Sequence, residues 1–177
     1  LETARRGLKA LPHIIYDTIN GNDPFPLASE TYDGVIANHM LYHLSSVPNT
    51  LREIHRILKK RGSLIATTTG PNHMATLFEY MQQFEPRFPE RKITPRTFDT
   101  VNGASQLRKV FPLVERMDCL DTLVIREEHI PLAIDYVYSW HDARNVLPEK
   151  RRPELHRFFQ TLIHEKGALH IEKEQAI

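Results

Sequence analysis

Apolar and polar positions fall into blocks of changing period between residues 32 and 70. Val35, Ile36 and Ala37, led in by Tyr32, form a short apolar run that predicts a buried strand. Ser45 or Ser46 then offers an N-cap for a helix, with Pro48 in the first turn, where a missing N–H costs nothing. Val47, Leu51, Ile54 and Leu58 recur at spacings of four, three and four, which puts them on one helix face. Lys59, Lys60 and Arg61 suit the negative end of the helix dipole, and Gly62 predicts the stop. Residues 64–68 follow as a second strand. Two strands joined through a helix pair in parallel, so the stretch predicts a βαβ unit.

The flanks carry weaker patterns. Residues 1–11 are good helix formers and end before Pro12. Residues 13–16 are apolar and predict a strand. Residues 20–29 contain NGNDPFP, a dense turn signal. Beyond Gly70, a helical stripe runs through Met74, Leu77, Phe78, Met81 and Phe84, and a core role fits it better than a substrate pocket. Residues 86–95, rich in proline and charge, predict a loop. A short helix is expected over residues 104–111, with extended segments over 113–117 and 120–125. Ile134, Val137, Tyr138 and His141 share one helical face, and Leu155, Phe158, Phe159 and Leu162 share another, closed by Gly167. Residues 168–174 alternate as a final strand.

Composition narrows the class. A chain of 177 residues fits a single domain over 1–177 with a sizeable core. Lys plus Arg number 23 against 22 for Asp plus Glu, so charge gives no reason to expect nucleic acid or an acidic membrane as partner. No apolar run is long enough to span a bilayer. The lone Cys119 excludes an internal disulfide and suits a cytoplasmic protein.

The central block resembles the middle of a class I S-adenosylmethionine-dependent methyltransferase of the small-molecule type. The resemblance rests on Pro24-Phe25-Pro26, Tyr32-Asp33, Val35, Leu41, His43, Leu51, Glu53, Arg56, Leu58-Lys59, Gly62 and Leu64, at fitting separations. Residues 135–140 and 167–173 resemble the family's closing helix and final hairpin strand. The resemblance implies an α/β, incomplete Rossmann-like fold. Its sheet is mainly parallel, with helices on both faces and an antiparallel last strand, and the family's strand order is 3-2-1-4-5-7-6. No G-x-G occurs in the sequence, so the family's Gly-rich cofactor loop and ribose-binding carboxylate are not in it. The expectation is therefore an N-terminally truncated domain, the C-terminal two-thirds of a methyltransferase, that binds S-adenosyl-L-methionine weakly or not at all by itself.

The resemblance also implies site residues. Family members place an acidic residue before the Pro-Phe motif to hold the adenine amino group. Asn20, Asn22 and Asp23 stand near that place, although Asn, Gly and Asp also form plain turns. Asn38 and His39 follow the first strand, at the sheet end where ligands bind in open α/β folds, and would flank the methionine part of the cofactor. His43 is expected to be structural. The His39-x-x-x-His43 spacing suits a metal on a helix but lacks a third ligand, so no metal is expected. Lys59-Lys60-Arg61 reads as a helix end, and His55 and Arg56 as a solvated or partly packed helix face. Tyr42, His73, Tyr138 and His141 are candidate substrate-binding residues, and Tyr136 could line the same pocket. No catalytic acid or base is assigned.

Two functions follow. One is methyl transfer to a small molecule by the parent protein. The other is a non-catalytic methyltransferase-like remnant acting as a binding or assembly module. A nucleotide-dependent oxidoreductase fits the Asp33-to-Gly62 pattern less well. With strands missing beside residues 35–37, a homodimer or larger oligomer across an exposed sheet edge is expected, or residues 14–16 folded back onto that edge.

Overall fold

The computed structural model describes residues 13–88 and 97–177. The helix expected over residues 1–11 and most of the loop expected over 86–95 lie outside the described residues. Four strands form one mixed sheet: β1 (Tyr32–Asn38), β2 (Leu58–Thr69), β3 (Asp118–Ile125) and β4 (Leu169–Ala176). Their order is β1-β2-β4-β3. β1 and β2 run parallel, while β4 is antiparallel to both its neighbours. This is the 4-5-7-6 part of the order expected from the resemblance.

Helix α1 (Val47–Ile57) joins the parallel strands. It buries Val47, Leu51 and Ile54 on the expected face, against Ala37, Leu41 and Phe98. Burying each such aliphatic side chain contributes ~1.5–3 kcal/mol, which locks the helix onto the strands. Pro48 sits in the first turn, but Ser46 makes no side-chain cap bond. The helix stops earlier than expected. Leu58 is extended (φ −73°, ψ 139°), and Lys59, Lys60 and Arg61 belong to β2 rather than to a helix end. The register explains why. Tyr32 faces Leu58 while Gly34 faces Ser63, so residues 59–62 bulge out of the ladder. A Cβ on Gly62 would lie 3.0 Å from the Tyr32 carbonyl and 3.1 Å from that of Lys59. Glycine is there for close approach inside a bulge, not for a helix stop.

Two further expectations change. Residues 13–16 form no strand, and Ile15 is 93% exposed. They have no strand partner among the described residues, and an isolated extended run does not persist without one. β1 is not a fully buried strand either: Ala37 is buried, but Ile36 is 73% exposed, beside Ile65 of β2 at 49%.

A second core gathers α2 (Ala75–Phe84), α4 (Ile130–Ser139), α5 (His141–Val146) and α6 (Arg152–Lys166) with Leu169 and Ile171 of β4. Phe78 stacks on Trp140 at 4.4 Å, nearly coplanar. Met74 is buried as expected but precedes α2 in a left-handed conformation. The helical face expected to join Ile134, Val137, Tyr138 and His141 is broken at Trp140, which is extended between α4 and α5. Gly167 closes α6 with φ +78°, as expected. The short α3 (Gly103–Leu107) replaces the longer helix expected there. Residues 113–117 form no strand, although Met117 exchanges both backbone hydrogen bonds with Ile177.

Candidate functional site

β1 and β2 end side by side, with Asn38 opposite Thr67. The chain leaves β1 sharply: His39 adopts φ +48°, a left-handed conformation uncommon for a residue with a Cβ. The turn is held from β2. The His39 N–H donates to the Thr67 carbonyl (3.2 Å) and to Thr67 Oγ (3.0 Å). Thr67 Oγ donates in turn to Asn38 Oδ1. A 3₁₀ turn, Leu41–His43, follows. Leu41 anchors it in the core, while Tyr42 stays half-buried. The Tyr42 ring lies 6.5 Å from His39 and 4.5 Å from His43. His43 is exposed against Tyr42.

The NGND segment closes one side of this loop. Asn20 makes an Asx-type turn, accepting the Asn22 N–H at 3.1 Å and donating to Asp23 Oδ2 at 2.7 Å. Asn22 Oδ1 accepts both the N–H and the hydroxyl of Ser45, each at 2.8 Å. Thr50 donates to the Gly21 carbonyl at 2.7 Å. Gly21 is pressed on Leu44, where a Cβ would come within 2.8 Å of the leucine side chain. The fold thus brings Asn20, Asn22 and Asp23 to the same loop system as Asn38, His39 and Tyr42. Much of their hydrogen bonding serves the turn itself.

The Pro-Phe segment is clamped from α1. Glu53 Oε2 accepts the Phe25 N–H at 2.9 Å. Arg56 donates to the carbonyls of Phe25 (3.0 Å) and Leu27 (2.8 Å) and pairs with Glu53. The Arg56 guanidinium and the Phe25 N–H lower the Glu53 pKa to about 2. Arg56 is thus partly packed, one of the two alternatives expected for this helix face. The spacing of three between Glu53 and Arg56 signals their pairing, but their hold on residues 25–27 carries no local signal.

The other candidates scatter. His73 follows β2 and is half-buried, its amide bonded to the Gly70 carbonyl at 3.2 Å. Because β1 and β2 are parallel, it emerges at the same sheet end as Asn38. Tyr138 sits in the second core, 5% exposed, with its hydroxyl donating to the Pro148 carbonyl at 3.1 Å. Arg152 lies over its ring at 4.3 Å. Burial pushes the Tyr138 phenol above its ordinary pKa. His141 opens α5, and Tyr136 is exposed against Trp140. A recess of about 500 Å³ lies between α4 and α6, lined by Ile134, Asp135, Arg152 and His156, apart from the β1 end. Among the described residues no cluster of His, Cys, Asp or Glu could hold a metal. No helix among them is long and apolar enough to cross a membrane.

The comparisons agree with this architecture. Residues 1–66 match the family model described as the methyltransferase domain. A presumed methyltransferase of Bacillus halodurans superposes with TM-score 0.54 at 14% identity, over 99% of this chain and 75% of that one. A presumed methyltransferase from an antibiotic biosynthesis pathway of Anabaena variabilis gives TM-score 0.53 at 14% identity, over 93% and 73% of the two chains. No curated protein matches the chain at a significant level. The fold is α/β and Rossmann-like. The match to the methyltransferase-domain model covers the first 66 residues, and the fold is similar to that of these two solved structures.

Proposed function

We propose that the protein containing this chain is a cytoplasmic, S-adenosylmethionine-dependent methyltransferase acting on a small molecule. The observation that carries this reading is the turn at the carboxyl end of β1, where Asn38 and His39 are set by Thr67 and walled by Tyr42 and residues 20–23. Amide, imidazole and hydroxyl groups within one turn of a strand end fit the zwitterionic amino-acid part of such a cofactor. Asn38 and His39 would hold that part, and the NGND turn would lie toward the adenine. The bound cofactor supplies an already activated methyl group. The chain's own residues orient it and keep the acceptor in line, Tyr42 and His73 facing the acceptor side. A Gly-rich loop and a ribose-binding carboxylate elsewhere in the protein would complete the site.

Calorimetric titration of the full-length protein with S-adenosylhomocysteine tests this reading. Saturable binding is expected, weakened at least tenfold by joint replacement of Asn38 and His39 with Ala. Unchanged affinity would mean that the loop is only structural. The 177-residue chain alone is expected to show no saturable heat at micromolar concentration.

A second reading concerns assembly of this chain on its own. β1 pairs only with β2 among the described residues, and residues 13–16 do not cover its other edge. Its central residues, Gly34 to Ala37, contain neither Pro nor Lys to discourage pairing. A second copy pairing edge to edge would continue the sheet. Light scattering is expected to give a dimer or larger species, and a strict monomer would refute the pairing.

A further inference from the structure

We propose that Thr67 is a positioning residue of the candidate site, whose hydroxyl couples the Asn38 side chain to the His39 backbone and holds His39 in its left-handed conformation. A positive φ at a residue with a Cβ persists only where the surroundings over-determine it. Here they do so from one residue. The Thr67 hydroxyl accepts the His39 N–H at 3.0 Å and donates to Asn38 Oδ1. The Thr67 carbonyl reinforces the first bond at 3.2 Å. A hydroxyl donates and accepts through a single atom. Thr67 lies directly across the ladder from Asn38, so its side chain stands on the same sheet face and reaches both groups. The coupling fixes where the amide of Asn38 and the imidazole of His39 point relative to Tyr42.

The functional consequence rests on the reading that Asn38 and His39 hold the cofactor, while the conformational one does not. Valine keeps the shape and strand preference of threonine but can neither donate nor accept. Serine keeps the hydroxyl. In the full-length protein, Thr67→Val is expected to shift the NMR signals of the His39 amide and imidazole. It is also expected to weaken S-adenosylhomocysteine binding roughly threefold to tenfold, the range of one lost hydrogen bond. Thr67→Ser is expected to restore both. His39 signals unmoved by Thr67→Val, or a Thr67→Ser variant as defective as Thr67→Val, would overturn the proposal. If Thr67→Val moves the His39 signals and Thr67→Ser restores them, the positioning role stands. If His39→Ala then leaves affinity untouched, it is the cofactor reading of the loop that fails.

Discussion

Gly70→Ala is expected to destabilise the protein by about 2–4 kcal/mol, more than a surface glycine replacement would. A Cβ at Gly70 would stand 2.0 Å from the carboxyl carbon of Glu174 and 2.2 and 2.3 Å from its oxygens. That carboxylate is not a loose end that can swing aside freely. It accepts the Asn72 N–H at 2.9 Å and the Thr100 hydroxyl at 3.0 Å. The Gly70 N–H itself donates to the Glu174 carbonyl at 2.9 Å. The cluster matters because β2 and β4 share only two paired positions, Thr68 with Ala176 and Thr69 with Gln175. Glu174 extends this short junction onto the chain that leaves β2. An added methyl must displace the carboxylate and disrupt two charge-assisted hydrogen bonds, of which the one from Asn72 is exposed and the one from Thr100 part-buried. Urea unfolding of the single and double variants provides the test. If the clash is with the carboxylate, Gly70→Ala adds little to Glu174→Ala, because the second change removes what the first collides with. Full additivity of the two costs would show that the methyl clashes elsewhere.

The features legible in the sequence are those set by neighbours a few residues apart. The apolar face of α1 follows from the spacing of Val47, Leu51 and Ile54, and the close of α6 from Gly167. What could not be read depends on partners remote in sequence. Lys59, Lys60, Arg61 and Gly62 imitate a helix end, yet they form a bulge set by pairing with β1, where Lys59 reaches Asp33 at 2.8 Å. An exposed pair of this kind stabilises weakly, so the ladder rather than the charge decides the conformation. The break at Trp140 has no Gly or Pro to announce it, and the Phe78 ring stacked on the indole comes from a helix more than fifty residues earlier.

The candidate site divides in the same way. Asn38 and His39 were legible as the residues after a strand in an α/β pattern. Thr67 was not, because a threonine inside a strand is ordinary and its two hydrogen bonds cross to a neighbouring strand. The left-handed turn at His39 was equally hidden, since no glycine marks it. Glu53 and Arg56 were visible as elements of a resemblance. Their physical task, holding residues 25–27 against α1, appears only once Phe25 and Leu27 are in place.

Acid should loosen the protein at two separate clamps. Glu53 and Glu85 each have a pKa lowered from 4.5 to about 2. At Glu53 the cause is Arg56 and then the Phe25 N–H. At Glu85 it is the Arg87 side chain and then its N–H, opposed by burial and helped by Arg151 at 2.6 Å. The first clamp fastens the Pro-Phe segment beside the candidate site. The second ties the end of α2 to Arg151, just before α6, in the other core. A carboxylate whose folded pKa lies below its unfolded one contributes stability that is fully present above about pH 4.5. That contribution is lost as pH falls toward 2, because the unfolded chain takes up the protons first. The urea midpoint should therefore fall between pH 5 and pH 2.5. A Glu53→Gln, Glu85→Gln double variant should start less stable at pH 7 and lose less on acidification, since neither position then titrates. Parallel pH profiles for the two proteins would show that other carboxylates set the acid response and that neither clamp is ionised as the geometry requires.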